Sequence, residues 1–509
     1  MNNILVKKNI IKKILIANRG EIALRVIQTA REMGIKTVTL FTDEEHSLPH
    51  SCAGDESISL GSGPLKETYL NQKKIIEIAL KHNVDAIHPG YGFLSEKSSF
   101  ARMVVEAGLI FIGPSPESIE LMGDKKSSKI KIQDLNVPSI PGYHGENQEA
   151  LHLLKEAVKI GFPVLIKASA GGGGKGMRIV TVENEFVEAL NGAKREALNA
   201  FGDETVLLEK YITSPRHIEI QVMSDQHGNH FHLFERECSI QRRYQKIVEE
   251  SPSPAVTPEL RALMTEAALK ITRGINYVGA GTIELILDTD GKFYFLEMNT
   301  RLQVEHPVTE MVTGQDLVRL QILVAEGEVL PFKQADLKQI GHAIEVRIYA
   351  EDPDNNFLPS IGKILKIGKT SLRHTRLDCG YVDGNSISTS FDPMLAKLIP
   401  RAENRTLATH KINLALNEIV FLGPLTNRSY LKRILGLAEF REGLTFTNFV
   451  KVYEDKLKPK VKTSEEKALV IAAFLFNSKR VKTAENNHST VVGSNQADVW
   501  NGLVGFRNI

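Results

Sequence analysis

The sequence predicts an α/β region at the N-terminus that is followed by α+β regions. Strand and helix patterns alternate from about residue 12 to residue 113. Short strands and one glycine-rich loop follow from about residue 125, and a second β-rich part extends from about residue 341 to residue 455. Alternating strands and helices are typical of a parallel sheet, whereas runs of strands with separate helices are typical of α+β domains. Because 509 residues exceed what one core holds, we expect two to four domains.

The first segment with a clear pattern is "KILIANRGEIALRVIQTAREMGIKTVTLF". It has an apolar strand, a glycine turn, a helix with Ile22, Val26 and Ile27 at helical spacing, and a second strand. A second unit contains "LNQKKIIEIALKHN" and "VDAIHPG", and a third ends at "GLIFIGP". These units predict a parallel sheet. Since "ANRGE" lacks the G-x-G-x-x-G pattern, NAD binding is not predicted, and a purely structural α/β domain is the alternative.

A glycine-rich loop lies within "FPVLIKASAGGGGKGMRIV". Gly171–Gly174 and Gly176 are flanked by apolar strand patterns, whereas a flexible linker would have polar flanks. Glycine allows backbone N–H groups to approach phosphate oxygens, and Lys175 adds a positive charge. We therefore predict a hairpin loop that covers phosphates.

The segment 293–307, "FYFLEMNTRLQVEHP", alternates polar and mostly apolar residues. Alternation predicts one strand whose polar face has two carboxylates, two carboxamides and a guanidinium, groups that bind metals and oxyanions. A strand with one face in solvent is the general alternative. The polar face would contain Glu297, Asn299, Arg301, Gln303 and Glu305, and the packed face Leu296, Met298, Leu302 and Val304.

The position of Glu284 depends on the turn in "GTIELILDTDGKFYFLEMN". A loop of about four residues places Glu284 opposite Glu297, whereas a two-residue loop turns it to the other face. In the first case Glu284, Glu297 and Asn299 converge as oxygen ligands for magnesium. Together with the glycine loop this indicates ATP, although no Walker A pattern occurs.

Bulk composition excludes several function classes. The net charge of +2 predicts no nucleic-acid partner, and the absence of an apolar run of about 18 residues predicts no membrane span. The first residues have neither the length of a signal peptide nor the composition of a transit peptide, so we expect a cytoplasmic protein. Cys52, Cys238 and Cys379 lie far apart in the sequence, so neither disulfides nor a zinc site are predicted.

The chain contains the motifs "ANRGEIALRV", "HPGYGFLSE", "MGDK", "IKASAGGGGKGMRIV", "RHIEIQV", "QRRYQKIVEESPSP" and "EMNTRLQVEHPVTE". Together these motifs resemble the biotin carboxylase family of ATP-grasp enzymes. They occur in the family's order between about residues 12 and 456. The resemblance implies a Rossmann-like N-terminal domain (11–124), an ATP-grasp domain (125–326) with a lid (139–211), a C-terminal biotin carboxylase domain (342–456), and a linker with a partial subunit-docking segment (457–509).

The resemblance also implies a nucleotide site for ATP with magnesium or manganese. The segment "LEKYI" resembles the adenine-binding hinge of the family. The implied ATP-binding residues are Lys125 and Lys167 at the phosphates, Gly173 and Gly174 in the covering loop, Glu209, Lys210 and Ile212 beside the adenine, His217 near the ribose, and Glu284 and Glu297. The implied metal ligands are Glu284, Glu297 and Asn299.

The remaining implied roles concern bicarbonate and biotin. Lys246, Arg301 and Val304 match the residues that hold bicarbonate in the family. Glu305 matches the general base, Arg347 the arginine that meets biotin, and Tyr91 a residue on the biotin side. For single residues the alternatives are a structural histidine at 217, a surface lysine at 246 and a cross-strand salt bridge at 347.

The reaction implied for this family begins with attack of bicarbonate on ATP. This step gives carboxyphosphate, which then supplies carbon dioxide to biotin. Tyr244 stands where many family members have histidine, and its role is open. No "AMKM" biotin-carrier motif occurs, so biotin would arrive on a separate carrier protein or on a part absent from this chain.

The segment "ADVWNGLVGFRNI" is similar to a region of acyl-CoA carboxylase α subunits, particularly of the methylcrotonoyl type. We therefore expect a carboxyltransferase partner subunit and a homodimer or larger assembly. The alternatives are a biotin carboxylase subunit of acetyl-CoA or pyruvate carboxylase, another ATP-grasp ligase that joins an acyl phosphate to an amine, and a nucleotide-binding subunit without catalysis.

Overall fold

A computed structural model describes residues 8–169, 177–243 and 245–459 of the chain. The predicted glycine loop with Gly173 and Gly174, Tyr244 and the C-terminal segment beyond residue 459 lie outside the described residues. The part up to residue 457 forms one unit by its contacts. The predicted boundaries between domains stay predictions.

The N-terminal region forms a five-stranded parallel sheet with the strand order β3-β2-β1-β4-β5. Helices connect its strands, as the alternating pattern predicts. The elements are β1 (Lys13–Ile16), α1 (Gly20–Glu32), β2 (Lys36–Phe41), α2 (Pro49–Ala53), β3 (Glu56–Ser59), α3 (Gln72–Lys81), β4 (Ala86–His88), α4 (Ser98–Glu106) and β5 (Ile110–Phe111).

A small four-stranded sheet with the order β6-β9-β7-β8 lies within the predicted lid. Strands β7 and β8 are antiparallel neighbours, which confirms the hairpin on either side of the glycine loop. Two helices precede this sheet, α5 (Pro116–Gly123) and α6 (Lys125–Asp134), and its elements are β6 (Gly142–Tyr143), α7 (Ala150–Ile160), β7 (Val164–Ala168), β8 (Arg178–Val180), α8 (Phe186–Phe201) and β9 (Val206–Lys210).

The largest sheet has eight antiparallel strands in the order β14-β13-β10-β11-β12-β15-β22-β20. It extends through the regions predicted as ATP-grasp and C-terminal domains, because β12 pairs with β15. Its first part contains β10 (Arg216–Ser224), β11 (His230–Arg242), β12 (Gln245–Ser251), α9 (Pro258–Gly274), β13 (Gly279–Leu287), β14 (Phe293–Asn299), α10 (His306–Thr313) and α11 (Leu317–Ala325).

The C-terminal part adds three strands to the large sheet, several short strands and a layer of helices. Its strands are β15 (His342–Tyr349), β16 (Glu351–Asp352), β17 (Leu358–Pro359), β18 (Gly362–Lys363), β19 (Lys366–Gly368), β20 (Thr375–Cys379), β21 (Ser386–Ile387), β22 (Met394–Ala402) and β23 (Val420–Leu422). Its helices are α12 (Arg405–Glu418), α13 (Arg428–Gly436), α14 (Ala438–Arg441), α15 (Phe449–Val452) and α16 (Glu454–Leu457).

The prediction of one continuous strand over 293–307 is wrong in two respects. Strand β14 ends at Asn299, and the following six residues, 300–305, form an irregular turn before α10. A bulge between Glu284 and Leu285 also shifts the register, so that Leu296 is exposed instead of packed. One inserted residue breaks strict alternation, because two residues of the bulged strand then face one residue of its partner.

The two faces of the large sheet differ in chemistry. One face packs against helices α9, α12 and α13 through buried aliphatic side chains. The other face has a row of charged and polar side chains from neighbouring strands. This row, which we call the ionic face, consists of His217, Glu219, Arg236, Lys246, Glu249, Glu284, Glu345, Arg347 and Lys397.

Candidate active site

A cavity with a volume of about 870 Å³ lies against the ionic face. The N-terminal region supplies the opposite wall, including Tyr91 and Phe93, and a loop with Phe391 lines another side. The predicted site residues that line this cavity are Tyr91, His217, Lys246, Glu284, Glu297, Asn299, Arg301, Val304, Glu305 and Arg347. The structure therefore brings most of the predicted site together.

Lys246 on β12 lies at the centre of a carboxylate cluster. Its Nζ donates to Glu219 Oε2 at 2.7 Å, to Glu284 Oε1 at 3.0 Å and to Glu305 Oε1 at 2.6 Å. Its side chain is 13% exposed, so the surface-lysine alternative is wrong. Burial acts to lower the pKa of Lys246, but the three carboxylates raise this pKa well above its ordinary value. Lys246 is therefore a fixed positive charge.

Arg347 on β15 binds the other oxygen of Glu305. Its Nη2 donates to Glu305 Oε2 at 3.0 Å, and its Nε donates to Glu249 Oε1 at 2.6 Å. A cross-strand salt bridge is thus present, but it is buried and joined to the cavity, unlike an exposed pair. Burial acts to raise the pKa of Glu305, whereas Lys246, Arg347 and Arg236 hold it well below its ordinary value. Glu305 is consequently ionised at neutral pH.

Arg301 lies in the turn after β14 and presents its guanidinium to the cavity. It donates from Nε to Glu96 Oε2 at 2.7 Å, from Nη1 to Gln303 Oε1 at 2.9 Å and from Nη2 to Asn299 Oδ1 at 3.0 Å. A guanidinium presents planar paired N–H groups that fit a planar oxyanion. The neighbouring Val304 has a backbone N–H without a hydrogen-bond partner among the described residues, and it is therefore available to an anion.

Glu284 and Glu297 face each other across β13 and β14, which confirms the first of the two predicted registers. Partial desolvation and the charge of Glu284 raise the pKa of Glu297, and within the described part of the chain no hydrogen bond reaches its carboxylate. A cation between these two carboxylates fits, because it would neutralise both. Asn299 Nδ2 donates to Glu284 Oε1 at 2.8 Å, and its Oδ1 accepts one hydrogen bond from Arg301, which leaves the second lone pair of this oxygen for a cation.

His217 lies on β10 beside the same carboxylates. Its Nε2 is 2.9 Å from Glu284 Oε2, and its Nδ1 is 3.2 Å from Gln241 Nε2. Burial acts to raise the pKa of Glu284, but Lys246 and His217 lower it below its ordinary value. The structural alternative for His217 is therefore compatible with its contacts, although the residue also lines the cavity.

The predicted residues of the lid do not line the cavity. Glu209 accepts hydrogen bonds from both Lys167 and Lys129, and Lys210 Nζ donates to the carbonyl oxygens of residues 161 and 162 at 2.8 and 3.0 Å. Burial acts to raise the pKa of Glu209, but the two lysines lower it to about 2. Ile212 is buried, and Lys125 begins α6. The structure thus forms a second cluster, which we call the lid cluster (Lys129, Lys167 and Glu209).

Tyr91 is positioned by a tight turn in the N-terminal region. Asn18 Nδ2 donates to the carbonyl oxygens of Pro89 and Tyr91 at 2.7 and 2.8 Å. Gly90 between them has a φ of +64°, and a Cβ there would lie 2.8 Å from Asn18 Nδ2. Glycine is required at such a position. The Tyr91 hydroxyl donates to Glu21, which fixes the ring at the cavity wall.

Sequence reasoning missed several residues of the site. Glu219 bonds Lys246 and Arg236, and the alternation of His217, Glu219 and Gln221 in "RHIEIQV" was a signal for it. Glu96 bonds Arg301 from the loop after β4, and Glu249 bonds Arg347 from β12. No sequence periodicity or motif spacing indicated a role for Glu96 or Glu249, because their partners lie far away in the sequence.

Comparison with family models identifies three regions of the chain. Residues 10–119 match "Biotin carboxylase, N-terminal domain", residues 124–333 match "Carbamoyl-phosphate synthase L chain, ATP binding domain", and residues 345–452 match "Biotin carboxylase C-terminal domain". The central model alone would also suit a carbamoyl-phosphate ligase, whereas the two flanking models are specific.

Relatives with curated descriptions agree with this assignment. The methylcrotonoyl-CoA carboxylase α subunit of Dictyostelium discoideum is 46% identical over 501 residues, which cover 98% of this chain and 70% of the relative. The chain belongs to the biotin carboxylase family. It is accordingly an ATP-dependent ligase that carboxylates biotin, and the resemblance stated from the motifs is confirmed. The propionyl-CoA carboxylase α chain of Homo sapiens is also 46% identical, over 469 residues, with 91% of this chain and 64% of that relative covered.

Solved structures confirm the ATP-grasp biotin carboxylase fold. The biotin carboxylase domain dimer of Hydrogenobacter thermophilus 2-oxoglutarate carboxylase, in complex with MgADP, ADP and bicarbonate, superposes with a TM-score of 0.82. It is 44% identical, and the match covers 89% of this chain and all of that one. The predicted fold class is therefore correct.

No helix of the described ranges combines the length and the apolar content that a membrane crossing needs. The names of the two relatives include a mitochondrial location, so the comparisons do not confirm the expected cytoplasmic location. That location stays a prediction.

Proposed function

We propose that the ionic face performs the ATP-dependent half-reaction in which bicarbonate becomes a carboxyl group on the biotin of a separate carrier protein. The observation that carries this assignment is the position of Glu305. Lys246 holds one of its oxygens and Arg347 holds the other, so one carboxylate joins the anion-binding side of the cavity to the side assigned to biotin. The reaction activates bicarbonate and then transfers its carboxyl group to biotin, so the binding positions of bicarbonate and biotin must be neighbours.

Bicarbonate would be held by the guanidinium of Arg301, the ammonium of Lys246 and the N–H of Val304. Lys246 Nζ donates to three carboxylates, those of Glu219, Glu284 and Glu305. Binding of bicarbonate would replace one of these bonds, most simply the bond to Glu305. Fixing a weak nucleophile beside the terminal phosphate lowers the entropic part of the barrier.

Glu305 would accept the proton of bicarbonate as this anion attacks ATP. Two cations suppress its basicity in the structure, since both oxygens accept charged hydrogen bonds. When Lys246 turns to the bound anion, one oxygen becomes free and its proton affinity rises. The base is thereby strengthened only when its substrate is present, which fits the demands of general-base catalysis.

ATP would span the cavity and the lid. Magnesium held by Glu284 and Glu297 would neutralise charge on the transferred phosphoryl group. The lid cluster would supply Lys167 to the phosphates, with Glu209, Lys210 and Ile212 at the adenine and His217 near the ribose. Lys125, Gly173 and Gly174 belong to the same proposal. Lys167, which donates to Glu209, would then exchange this carboxylate for phosphate oxygens.

Carboxyphosphate then decomposes to carbon dioxide and phosphate, and the phosphate takes the proton of the biotin ureido nitrogen. This nitrogen attacks carbon dioxide to form the new C–N bond. Arg347 would stabilise the developing oxyanion of the ureido carbonyl, and Tyr91 would line the biotin side. Closure of the lid would protect the reactive acyl phosphate from water.

The two relatives have different acyl-CoA acceptors in their names but the same identity of 46%, so identity does not discriminate between acceptors. The larger coverage by the Dictyostelium relative favours the methylcrotonoyl type. We propose a carrier protein and a carboxyltransferase subunit as partners, in a homodimer or larger assembly. The predicted domains, with the segment 457–509 as linker and docking region, form part of this proposal.

The test measures ADP release by the purified chain with magnesium and bicarbonate, with and without free biotin. We expect biotin to stimulate release, because turnover then no longer depends on slow hydrolysis of the acyl phosphate. Stimulation by ammonia and not by biotin would contradict the proposal and favour a different ATP-grasp ligase. Release that does not require bicarbonate would contradict the roles of Arg301 and Lys246.

A further inference from the structure

The turn between Asn299 and α10 has carbonyl groups that no strand can satisfy. Three consecutive carbonyl oxygens accept from side chains instead. Arg301 Nη1 donates to Leu302 O at 3.2 Å, His306 Nδ1 to Gln303 O at 2.8 Å, and Lys397 Nζ to Val304 O at 2.9 Å. Arg301 and His306 are close in sequence, whereas Lys397 comes from β22 and is 93 residues away. Lys397 is therefore the long-range support of this turn.

Lys397 is a completely buried lysine outside the cavity lining. Its exposed fraction is 0%, and its Nζ lies 3.1 Å from Glu21 Oε2 and 3.6 Å from Asp378 Oδ2. Burial acts to lower its pKa, but Glu21, Glu345 and Asp378 raise it, so the amine is charged. A buried charge is costly unless each of its N–H groups is bonded. One of its N–H groups binds the turn.

Glu21 extends this contact towards the wall assigned to biotin. One oxygen of Glu21 accepts from the Tyr91 hydroxyl, and the other is close to Lys397 Nζ. A path of contacts joins the N-terminal region, β22 and the turn, and it consists of Tyr91, Glu21, Lys397 and Val304. The two central residues of this path are buried, since Glu21 is 6% exposed and Lys397 is 0% exposed, whereas Tyr91 and Val304 are half-buried.

We propose that Lys397 is a positioning residue for bicarbonate binding. By holding the carbonyl of Val304, it fixes the peptide plane whose N–H belongs to Glu305 and orients the adjacent Val304 N–H towards the anion. It touches neither bicarbonate nor ATP, and it acts through the turn. The effect of Lys397 on bicarbonate binding rests on the proposed function, whereas its positioning of the turn does not.

A purely structural role would give a different result on substitution. Lys397→Met removes the donor and the charge but keeps an unbranched side chain of similar length. Arg405→Met is the matched control, because Arg405 also combines a buried glutamate partner, Glu250 at 2.7 Å, with a bond to the carbonyl of Phe440 at 2.8 Å. It lies away from the cavity and the turn. Glu21→Gln keeps the side-chain volume and is the second variant if Lys397→Met does not fold.

The first readout is amide hydrogen exchange of peptides that cover residues 301–305. We expect about tenfold faster exchange in Lys397→Met and a smaller increase in Glu21→Gln, with no change in Arg405→Met. The second readout is the KM for bicarbonate in ATP cleavage. We expect it to rise about tenfold in Lys397→Met, as for the loss of one charge-assisted hydrogen bond, while the KM for ATP stays within about twofold.

Unchanged hydrogen exchange in the turn in both Lys397→Met and Glu21→Gln would overturn the positioning role. Faster exchange with an unchanged KM for bicarbonate would overturn the connection to the anion site. Equal rises in the KM for bicarbonate and the KM for ATP, in these variants and in Arg405→Met, would show general destabilisation and contradict the proposal. If the wild type cleaved no ATP with bicarbonate, the proposed function would fail, while hydrogen exchange would still decide the role of Lys397.

Discussion

The two faces of the eight-stranded sheet are built from alternate residues of the same strands, yet they differ almost completely. On β15 the residues Ile344, Val346 and Ile348 pack under α12 and α13, while Glu345 and Arg347 between them face the ionic side. On β22 the neighbours Lys397 and Leu398 are both 0% exposed but point to opposite faces. The comparison teaches that burial alone does not define a core. One face supplies stability, and the other supplies fixed charges for chemistry.

The ionic face is energetically expensive for the protein. Buried ion pairs often contribute no net stability, because desolvation offsets their attraction. Glu345 illustrates this, since neither of its buried oxygens has a hydrogen-bond partner within the described residues, and burial raises its pKa well above the ordinary value. Apolar residues would stabilise this face better. A reaction of two anions, bicarbonate and ATP, requires the cations.

The largest expected effect belongs to Glu305→Gln. This change keeps the shape but removes the proton acceptor, so we expect kcat for biotin-dependent ATP cleavage to fall about 10²- to 10⁴-fold. Glu351→Gln is the control, because Glu351 is also a buried glutamate bound to an arginine, with Arg242 Nη2 at 2.6 Å. An equally large loss of activity in Glu351→Gln would contradict the claim that Glu305 has a catalytic role that a buried structural glutamate lacks.

The next largest effect concerns the apolar face. Leu398→Ala removes methyl groups from the cluster beneath α12, and we expect unfolding free energy to fall by about 2–4 kcal/mol. The KM for bicarbonate should stay unchanged, in contrast to Lys397→Met one residue earlier. Denaturant unfolding and steady-state kinetics measure the two quantities. A changed KM for bicarbonate in Leu398→Ala would show that the two faces do not have separate roles.

A smaller effect depends on pH and concerns Glu249. Burial and the charge of Glu305 raise the pKa of Glu249, Arg347 opposes them, and the result is about 7. A raised carboxyl pKa means that the folded state binds more protons between about pH 4.5 and 7, so stability from this group is lost as pH rises through 7. We expect Glu249→Gln to be more stable relative to wild type at pH 8 than at pH 5, by about 1–2 kcal/mol.

Thermal or denaturant unfolding at both pH values measures this difference. Glu250→Gln is the neighbouring comparison, because Glu250 is bound to Arg405 and His342 and its pKa is lowered although burial acts against this. Its substitution should leave the stability difference between pH 5 and pH 8 nearly unchanged, because a carboxyl with a lowered pKa makes stability depend on pH only below about pH 4.5. The same pH trend for both substitutions would contradict the assigned difference between these adjacent carboxylates.

The sequence predicted the fold well where periodicity is local. The βαβ units and the hairpin around the glycine loop follow from turns and alternation, whereas the sequence left two registers open for Glu284 and the structure has the one opposite Glu297. The bulge at Leu296 and the end of β14 at Asn299 could not be predicted from the sequence, because a single inserted residue depends on packing with a neighbouring strand. Arg301 and Glu305 line the cavity although they lie in a turn and not on one face of a strand.

Most of the site residues were predicted through the motifs of a family. The residues that hold these site residues in place were not predicted. Glu96, Glu249 and Lys397 each bind a predicted site residue or the turn from a distant segment. Isolated charged residues are usually exposed, so sequence alone gives no reason to place them inside. Only the assembled sheet shows that Lys397 and Arg347 are opposite each other on adjacent strands.

The most direct test of the assigned reaction uses labelled bicarbonate with ATP, magnesium, free biotin and the purified chain. We expect acid-labile label to appear in biotin only when ATP is present, and to be lost in Glu305→Gln while nucleotide still binds. ATP cleavage without label in biotin, or labelling that survives Glu305→Gln undiminished, would contradict the role of the ionic face in biotin carboxylation.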